Sequence, residues 1–310
     1  MLLVTGATGY LGAALVEVLV RRGLPVRATV RSPERASVLP DAVERVGADL
    51  ADEEALATAM AGCEGVFHLA ASVGHSPRDT REANVEGTRR VLRAAARAGV
   101  RRVVYTSSSA AIIEPSGLVS ERAENRTALV DPYSTTKAEA EGLVFAAVRE
   151  GMDANIVNVV NAYGPSPRGP FSYNALLLAA VRGDVESIID ARVGWVLAED
   201  VAEGHLLAYE KGEPGKRYVL SGEVATFSTV LNRTAELWGS AHRVQPLPPG
   251  TTLPEGAMIY GRRAEVYGKL GPVRIDDAQA RALGFRPRGL DVGLPATVAW
   301  LRSFELSNAG

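Results

Sequence analysis

Cysteine and lysine are scarce in this chain of 310 residues, and long apolar runs are absent. Cys63 is the only cysteine. It cannot form an internal disulfide, and we expect it to be a small structural residue near a strand. Lysine occurs at only four positions, 137, 211, 216 and 269. The histidines at 68, 75, 205 and 242 show no ligand-like pairing, so no metal site is expected.

Charge and hydropathy are those of an ordinary globular protein. Apolar residues make up 46% of the chain, charged residues 23%, and the formal net charge is −2. Without a basic excess, the chain has no general attraction for nucleic acid or for an anionic membrane. No apolar run approaches the roughly 20 residues that span a bilayer. The chain starts in an apolar strand and a glycine-rich turn, not in a charged leader. We therefore expect a cytoplasmic protein without nucleic-acid or membrane partners.

The first half of the chain alternates short apolar strands with helical segments. The pattern predicts strands at 1–5, 26–30, 65–70, 102–106 and 155–160, and helices at 10–22, 53–60, 80–98 and 133–149. Strands separated by helices imply right-handed crossovers. The predicted fold class is therefore α/β, a doubly wound parallel sheet of the Rossmann kind.

The pattern becomes less regular after Gly164, where three prolines interrupt it. It predicts helices near 174–181, 201–209, 227–238 and 295–304, a loop at 246–256, and a strand at 217–220 that returns to the main sheet. We predict a dinucleotide-binding domain made of residues 1–160 plus 191–221. Residues 161–190 plus 222–310 are predicted to form a smaller, discontinuous substrate-binding lobe.

A glycine-rich turn lies between the first strand and the first helix. Gly6 permits a tight turn, Gly9 lets the backbone approach a pyrophosphate, and Gly12 lets the helix pack close to the strand. The helix N-terminus then offers free N–H groups and the positive end of its dipole to phosphates. The cofactor contacts predicted in this turn are Gly6, Thr8, Gly9, Tyr10, Leu11 and Gly12.

This turn and later motifs along nearly the whole chain resemble those of the short-chain dehydrogenases/reductases. The matching segments are 68–71 (HLAA), 84–88 (NVEGT), 104–109 (VYTSSS), 133–137 (YSTTK), 162–165 (AYGP), 199–202 (EDVA) and 282–285 (ALGF). The resemblance is to the extended subfamily, which includes nucleotide-sugar epimerases, dehydratases and carbonyl reductases similar to dihydroflavonol reductase. It implies that Leu69, Ala70 and Ala71 lie beside the cofactor.

The segment 133–137 carries the residues for acid–base chemistry. An unperturbed tyrosine has a pKa near 10, too high for efficient proton transfer at neutral pH. Lys137 lies one helical turn after Tyr133 on the same face, and its ammonium would favour the phenolate. The resemblance implies that Lys137 also binds the nicotinamide ribose.

The resemblance also implies that Ser108 is the catalytic serine and that Asn84 supports a proton-relay water. A turn-capping role for Ser108 and a structural role for Asn84 are the alternatives. Strand alternation places Ser107 on the face opposite Ser108.

The end of the second strand bears on which dinucleotide binds. NAD-binding sheets place an acidic residue there, whereas this strand is followed by Arg31. Arginine can pair with a 2′-phosphate, and Arg35 is a second candidate contact. The alternative for Arg31 is a solvated surface arginine. The segment 26–33 also resembles that of plant dihydroflavonol reductases, which use NADP. We therefore expect NADP, with NAD as the alternative; Asp49 and Leu50 resemble the pair that edges the adenine.

The substrate is less clearly marked. Nucleotide-sugar relatives carry an Arg-Pro pair where this chain has Asn158-Val159, and an Arg-Asp-Phe segment where it has 192–196 (RVGWV). These departures favour an NADP-dependent reductase of a ketone or aldehyde. The alternatives are an NAD-dependent nucleotide-sugar epimerase or dehydratase, and a non-catalytic cofactor-sensing regulator on the same fold. The resemblance further implies a homodimer through the helices 80–98 and 133–149, with Leu143 and Val144 as candidate contacts.

Overall fold

The computed structural model describes residues 1–73, 76–124, 126–253 and 256–308. Its regular structure there consists of fourteen strands, twelve α-helices, one π-helical turn and one 3₁₀ turn. The strands are β1 Leu2–Thr5, β2 Val26–Val30, β3 Glu44–Gly47, β4 Gly65–His68, β5 Arg102–Ser108, β6 Leu118–Ser120, β7 Ala154–Val159, β8 Asn161–Tyr163, β9 Ser187–Ile189, β10 Arg192–Leu197, β11 Arg217–Leu220, β12 Val224–Thr226, β13 Gln245–Leu247 and β14 Arg274–Asp276. The helices are α1 Tyr10–Arg21, α2 Pro33–Ala36, α3 Glu53–Met60, α4 Pro77–Arg81, α5 Gly87–Arg97, α6 Pro132–Arg149, α7 Tyr173–Arg182, α8 Ala198–Lys211, α9 Phe227–Trp238, α10 Ile259–Tyr267, α11 Ala278–Leu283 and α12 Leu290–Asn308.

Seven parallel strands form the main sheet, in the order β11-β7-β5-β4-β1-β2-β3. The strand order runs outward in both directions from β1, so the crevice of the fold opens at the carboxyl end of that strand. This is the predicted doubly wound sheet. The predicted return of residues 217–220 is confirmed, because β11 pairs with β7 at the edge.

Both faces of the sheet are covered, which explains why its strands are continuously apolar. Leu3 and Val4 are neighbours in β1 and both are fully buried, yet they belong to separate hydrophobic clusters. Their side chains point to opposite faces because residues alternate along a strand. Helices α3, α5 and α6 pack on the face of Leu3, and α1 and α8 pack on the face of Val4.

The predicted helix 80–98 differs in structure from a single α-helix. A π-helical turn at Glu82–Glu86 separates α4 from α5. Such turns contain one extra residue per hydrogen-bonded ring and occur frequently at functional sites. Sequence periodicity does not reveal them, because the apolar residues on either side still follow a helical pattern.

Three predicted features are wrong in part. The predicted loop 246–256 begins inside β13, which pairs with β9; residues 254 and 255 lie outside the described residues. The last helix begins at Leu290, upstream of Pro295. Val144 is fully buried in the protomer core, so it is not available for a dimer contact, whereas Leu143 is only partly buried.

The second half of the chain adds small sheets that were not predicted. Strand β10 pairs in parallel with β8 and antiparallel with β12, so it belongs to a three-stranded sheet and not to the main one. Helix α10 packs on β9 and α7. Within the described residues, no helix has both the length and the apolar composition to cross a membrane.

Candidate active site

The turn between β1 and α1 has the tight geometry predicted from its glycines. Gly6 has a φ of 71°, and a Cβ at this residue would lie 2.6 Å from the backbone nitrogen of Ala70. A Cβ at Gly12 would lie 2.0 Å from the carbonyl oxygen of Gly6. The first turn of α1 has no side-chain cap and no acidic residue. Its N–H groups are therefore free for an anion, and the turn fits a dinucleotide pyrophosphate.

One cleft of about 730 Å³ starts at this turn and follows the carboxyl ends of the strands into the second half of the chain. It brings together every cofactor residue predicted from the sequence and three of the four predicted catalytic residues. Lining it are Gly6, Thr8, Gly9, Tyr10, Leu11, Gly12, Arg31, Arg35, Asp49, Leu50, Leu69, Ala70, Ala71, Ser108, Tyr133 and Lys137. The fourth catalytic candidate, Asn84, lies behind the lining.

Arginines surround the end of β2. Arg31 is exposed there and also lines a second cavity of about 460 Å³, together with Ser32, Ser37 and Arg45. Among the described residues that line this second cavity none is acidic, although Asp41 lies 3.6 Å from Arg45. Arg45 lies on β3, a strand that the sequence pattern did not predict. The end of β2 thus presents two arginines to this cavity, Arg31 and Arg45.

Tyr133 lies in the first turn of α6 and faces Ser108 at the end of β5. Burial raises the pKa of Tyr133 to about 12, while a hydrogen bond with Ser108 and the charge of Arg263 oppose that rise. Tyr133 is therefore protonated at neutral pH, which is the form that can donate a proton. Ser108 Oγ also accepts a hydrogen bond of 3.2 Å from the backbone of Ala110, so the serine caps a turn as well.

Lys137 is held by β5 and not by Tyr133. Its Nζ donates to Tyr105 Oη at 3.1 Å and to the carbonyl oxygen of Thr106 at 2.7 Å. It also lies 4.6 Å from the centre of the Tyr105 ring. Burial lowers the pKa of Lys137 to about 7, an effect that Glu141 opposes. The lysine also lines the cleft.

Ser107 belongs to a buried network on the other side of β5. Its Oγ donates to Glu141 Oε1 at 2.5 Å. Glu141 also accepts from Asn158 at 2.6 Å and pairs with Arg217 at 2.8 Å. This places the Ser107 hydroxyl away from Ser108, as strand alternation predicts, and leaves Ser108 as the serine that contacts Tyr133.

All the polar atoms of the Asn84 side chain have protein partners. Its Oδ1 accepts from the backbone nitrogen of Ser72 at 2.7 Å. Its Nδ2 donates to the carbonyl oxygen of Ser72 at 3.0 Å and to Thr136 Oγ1 at 3.1 Å. These contacts join the segment after β4 to α6 and support the structural alternative. The role in a proton relay stays a prediction.

The buried histidines serve the fold. His68 bonds to Thr5 at 2.7 Å and to Thr88 at 3.0 Å. His205 bonds to Thr106 at 2.8 Å and to the carbonyl oxygen of Val201 at 2.7 Å. Burial lowers the pKa of His68 to about 3 and that of His205 to about 4, so both are neutral. Among the described residues no cluster could hold a metal ion; His75 lies outside them.

The half of the cleft beyond Tyr133 is aromatic and was missed in the sequence. Its walls include Phe171, Tyr173, Tyr260 and Tyr267. The one signal that could have found part of it is spacing, because residues 260, 263 and 267 lie on one face of α10. That helix was not predicted.

Arg263 is the charged member of this face. Its Nη1 lies 3.1 Å from Asp131 Oδ1, and its side chain is only 13% exposed. Its Cζ lies 5.8 Å from the ring centre of Tyr133 and 5.2 Å from that of Tyr267. A cation from the second half of the chain is therefore packed against the predicted acid–base residue.

Comparisons with known proteins show which family this chain is similar to. Residues 2–221 match the model of the NAD dependent epimerase/dehydratase family. The chain is 34% identical to sterol demethylase protein B of Methylococcus capsulatus, over 97% of this chain and 98% of that protein. It is 35% identical to a putative dihydroflavonol 4-reductase of Synechocystis, over 76% of this chain and 72% of that protein. The structure of MoeE5 in complex with UDP-glucose and NAD superposes with a TM-score of 0.79 and 27% identity, covering 98% of this chain and 99% of that one.

Proposed function

The chain belongs to the NAD-dependent epimerase/dehydratase family of extended short-chain dehydrogenases/reductases, and from this premise we propose that it is an NADPH-dependent reductase of a ketone or aldehyde with an apolar or aromatic body. The observation that carries the proposal is the aromatic wall around the Ser108–Tyr133 pair. Aromatic walls favour a flat or apolar substrate. The arginines at the end of β2 support the choice of NADPH.

The residues of the cleft would hold the cofactor in a defined direction. The turn at Gly6–Gly12 would bind the pyrophosphate, and Arg31 with Arg35 would bind the 2′-phosphate. Lys137 would bind the nicotinamide ribose. When bound, the reduced nicotinamide supplies the hydride for the carbonyl carbon.

The protein supplies the proton and the stabilisation of charge. The Ser108 hydroxyl would donate a hydrogen bond to the carbonyl oxygen as negative charge builds there. The O–H bond of Tyr133 then breaks, its proton goes to that oxygen, and the phenolate regains a proton from solvent. The protonated ground state of Tyr133 in the structure suits this direction of reaction.

Relatives support the reductase, and one solved structure supports a second candidate. The putative dihydroflavonol 4-reductase and the sterol demethylase protein B are named for substrates with fused or linked rings. The similarity to MoeE5 with UDP-glucose and NAD favours an NAD-dependent nucleotide-sugar epimerase as the alternative.

The test is a substrate panel. We expect oxidation of NADPH with aromatic and cyclic ketones or aldehydes, and no conversion of UDP-sugars with NAD. Conversion of a UDP-sugar without net cofactor turnover would establish the alternative instead.

Tyr133→Phe removes one oxygen and keeps the ring, so cofactor binding should survive while turnover falls by about 10²–10⁴-fold. Tyr209→Phe is the matched control, because Tyr209 lies outside the cleft lining. Near-full activity of Tyr133→Phe on a proven substrate would overturn the assignment.

A further inference from the structure

Arg263 has a position that the reaction described above does not use. It reaches the catalytic helix from α10, and its side chain is mostly buried between Asp131 and the rings of Tyr133 and Tyr267. A buried guanidinium needs partners for its charge, and Asp131 supplies one carboxylate. The rings of Tyr133 and Tyr267 lie beside its guanidinium, and the Tyr267 side chain also hydrogen-bonds to it.

Asp131 links this cation to the start of α6. Its Oδ1 accepts from the backbone nitrogen of Ser134 at 3.1 Å, and its Oδ2 accepts from Ser134 Oγ at 2.7 Å. It is therefore the N-cap of the helix whose first turn carries Tyr133. One carboxylate thus fixes both the helix end and the arginine.

The groups facing Tyr133 come from four elements. Ser108 on β5 bonds to it, and Lys137 follows it on α6. From the other side come Tyr173 on α7, and Tyr260, Arg263 and Tyr267 on α10. The Lys137 amine donates its hydrogen bonds to Tyr105 and Thr106, so its partners lie on β5. The charge of Arg263, by contrast, lowers the pKa of Tyr133.

We propose that Arg263 is a positioning residue for proton transfer: its guanidinium stabilises the phenolate form of Tyr133 and, through Asp131, fixes the turn that carries this tyrosine. The inference rests on the proposed function, because it concerns the proton that Tyr133 exchanges. It assigns to α10 an electrostatic role in addition to its place in the substrate wall.

The kinetic test uses the oxidation of the product alcohol, in which Tyr133 must be ionised to accept a proton. Removing a nearby positive charge disfavours the phenolate. In Arg263→Gln the apparent pKa of the rising limb of kcat against pH should therefore move up by about 1–2 units. Arg263→Lys keeps a charge and should recover at least half of that shift. The matched control is Arg262→Gln, since Arg262 lies on the same helix outside the cleft lining.

An optical test does not depend on turnover. The tyrosinate absorbance of the protein, minus that of its Tyr133→Phe variant, should appear at lower pH with Arg263 than with Gln at this position. It is measured without cofactor, up to the pH at which the protein unfolds. If the unmodified protein reduces no carbonyl, the proposed function fails and this titration still tests Arg263.

Three results would overturn the proposal. The first is an unchanged pH limb and an unchanged tyrosinate difference in Arg263→Gln. The second is a change in KM alone, which would make Arg263 a substrate contact. The third is failure of both Arg263→Gln and Arg263→Met to fold, which would assign the residue to the fold and not to the tyrosine.

Discussion

At the scale of single residues, the buried amine of Lys137 has the largest consequence for pH dependence. Its side chain is 2% exposed, and burial lowers its pKa from 10.5 to about 7. The unfolded chain therefore binds a proton between these two values that the folded protein does not bind. Stability must rise as the pH increases through this window, and the cost of the buried charge is fully present below it.

Replacing this amine should reveal that cost. Lys137→Met should raise the melting temperature near pH 6 by ~2 °C or more, and the gain should shrink toward pH 10. The same variant should bind the cofactor more weakly, because its donors are lost. Melting curves across this pH range are the measurement, with Lys216→Met as the control. A gain that is equal at every pH would contradict the assigned titration.

Arg31 is the residue expected to set the preference between NADP(H) and NAD(H). It is exposed at the end of β2 and lines both cavities there. Arg31→Ala should remove most of the preference for NADP(H) over NAD(H), about 1–3 kcal/mol for a charge-assisted contact. The affinities of both cofactors are measured by calorimetry. Arg93→Ala is the control, since Arg93 is exposed on α5 and lies outside the cleft lining. Equal affinities in the unmodified protein would exclude this role.

At the scale of elements, the contact between α1 and β1 depends on a missing side chain. A Cβ at Gly12 would lie 2.0 Å from the carbonyl oxygen of Gly6, which is backbone and cannot rotate away. Gly12→Ala should therefore displace α1 and distort the turn at Gly6–Gly12.

The measured result should be loss of cofactor binding and a destabilisation of about 1–3 kcal/mol or more. Gly261→Ala is the matched control in α10, where the nearest atom to a Cβ is Ile188 Cδ1 at an ordinary 3.5 Å. That change should instead stabilise the helix by about 0.5–1 kcal/mol. Equal effects of the two substitutions would contradict the packing argument.

At the scale of the whole molecule, the assembly of the chain is still a prediction. A dimer through α5 and α6 would use the outer face of α6, where Leu143 is only partly buried. Light scattering should give a mass twice the 32.8 kDa of one chain. Leu143→Arg should lower that mass while the melting curve stays cooperative. A monomeric mass at all micromolar concentrations would rule the dimer out.

The division into a dinucleotide-binding domain and a substrate lobe is a proposal at the same scale. The main sheet uses strands up to β11, whereas β10 joins β8 and β12 in a separate sheet. Tyr10 lies where these parts meet: its hydroxyl donates to the carbonyl oxygen of Gly164 at 3.0 Å, and Ser166 donates to its backbone oxygen at 3.0 Å. The turn at Gly6–Gly12 is thereby bonded directly to residues 164 and 166, which belong to the proposed substrate lobe.

The sequence by itself determined the features that depend on near neighbours. The turn at Gly6–Gly12 follows from backbone sterics, and the placement of Ser108 opposite Ser107 follows from strand alternation. Tyr133 and Lys137 share a helix face because they are four residues apart. The order of strands and helices in the first half was predictable because each element carries its own apolar period.

Only the tertiary structure decided what surrounds Tyr133, the predicted catalytic tyrosine. Arg263, Tyr260 and Tyr267 approach Tyr133 from a helix far along the chain. Arg45 lines the cavity at the end of β2 from a strand with a weak apolar pattern. The structure adds that the Lys137 amine donates to Tyr105 and Thr106 of β5, while its effect on the pKa of Tyr133 stays a prediction. These contacts depend on how the second half of the chain packs across the main sheet. That packing also decides which side chains are desolvated. Neither is encoded in the spacing of neighbouring residues, because burial and charge proximity arise only when distant segments meet.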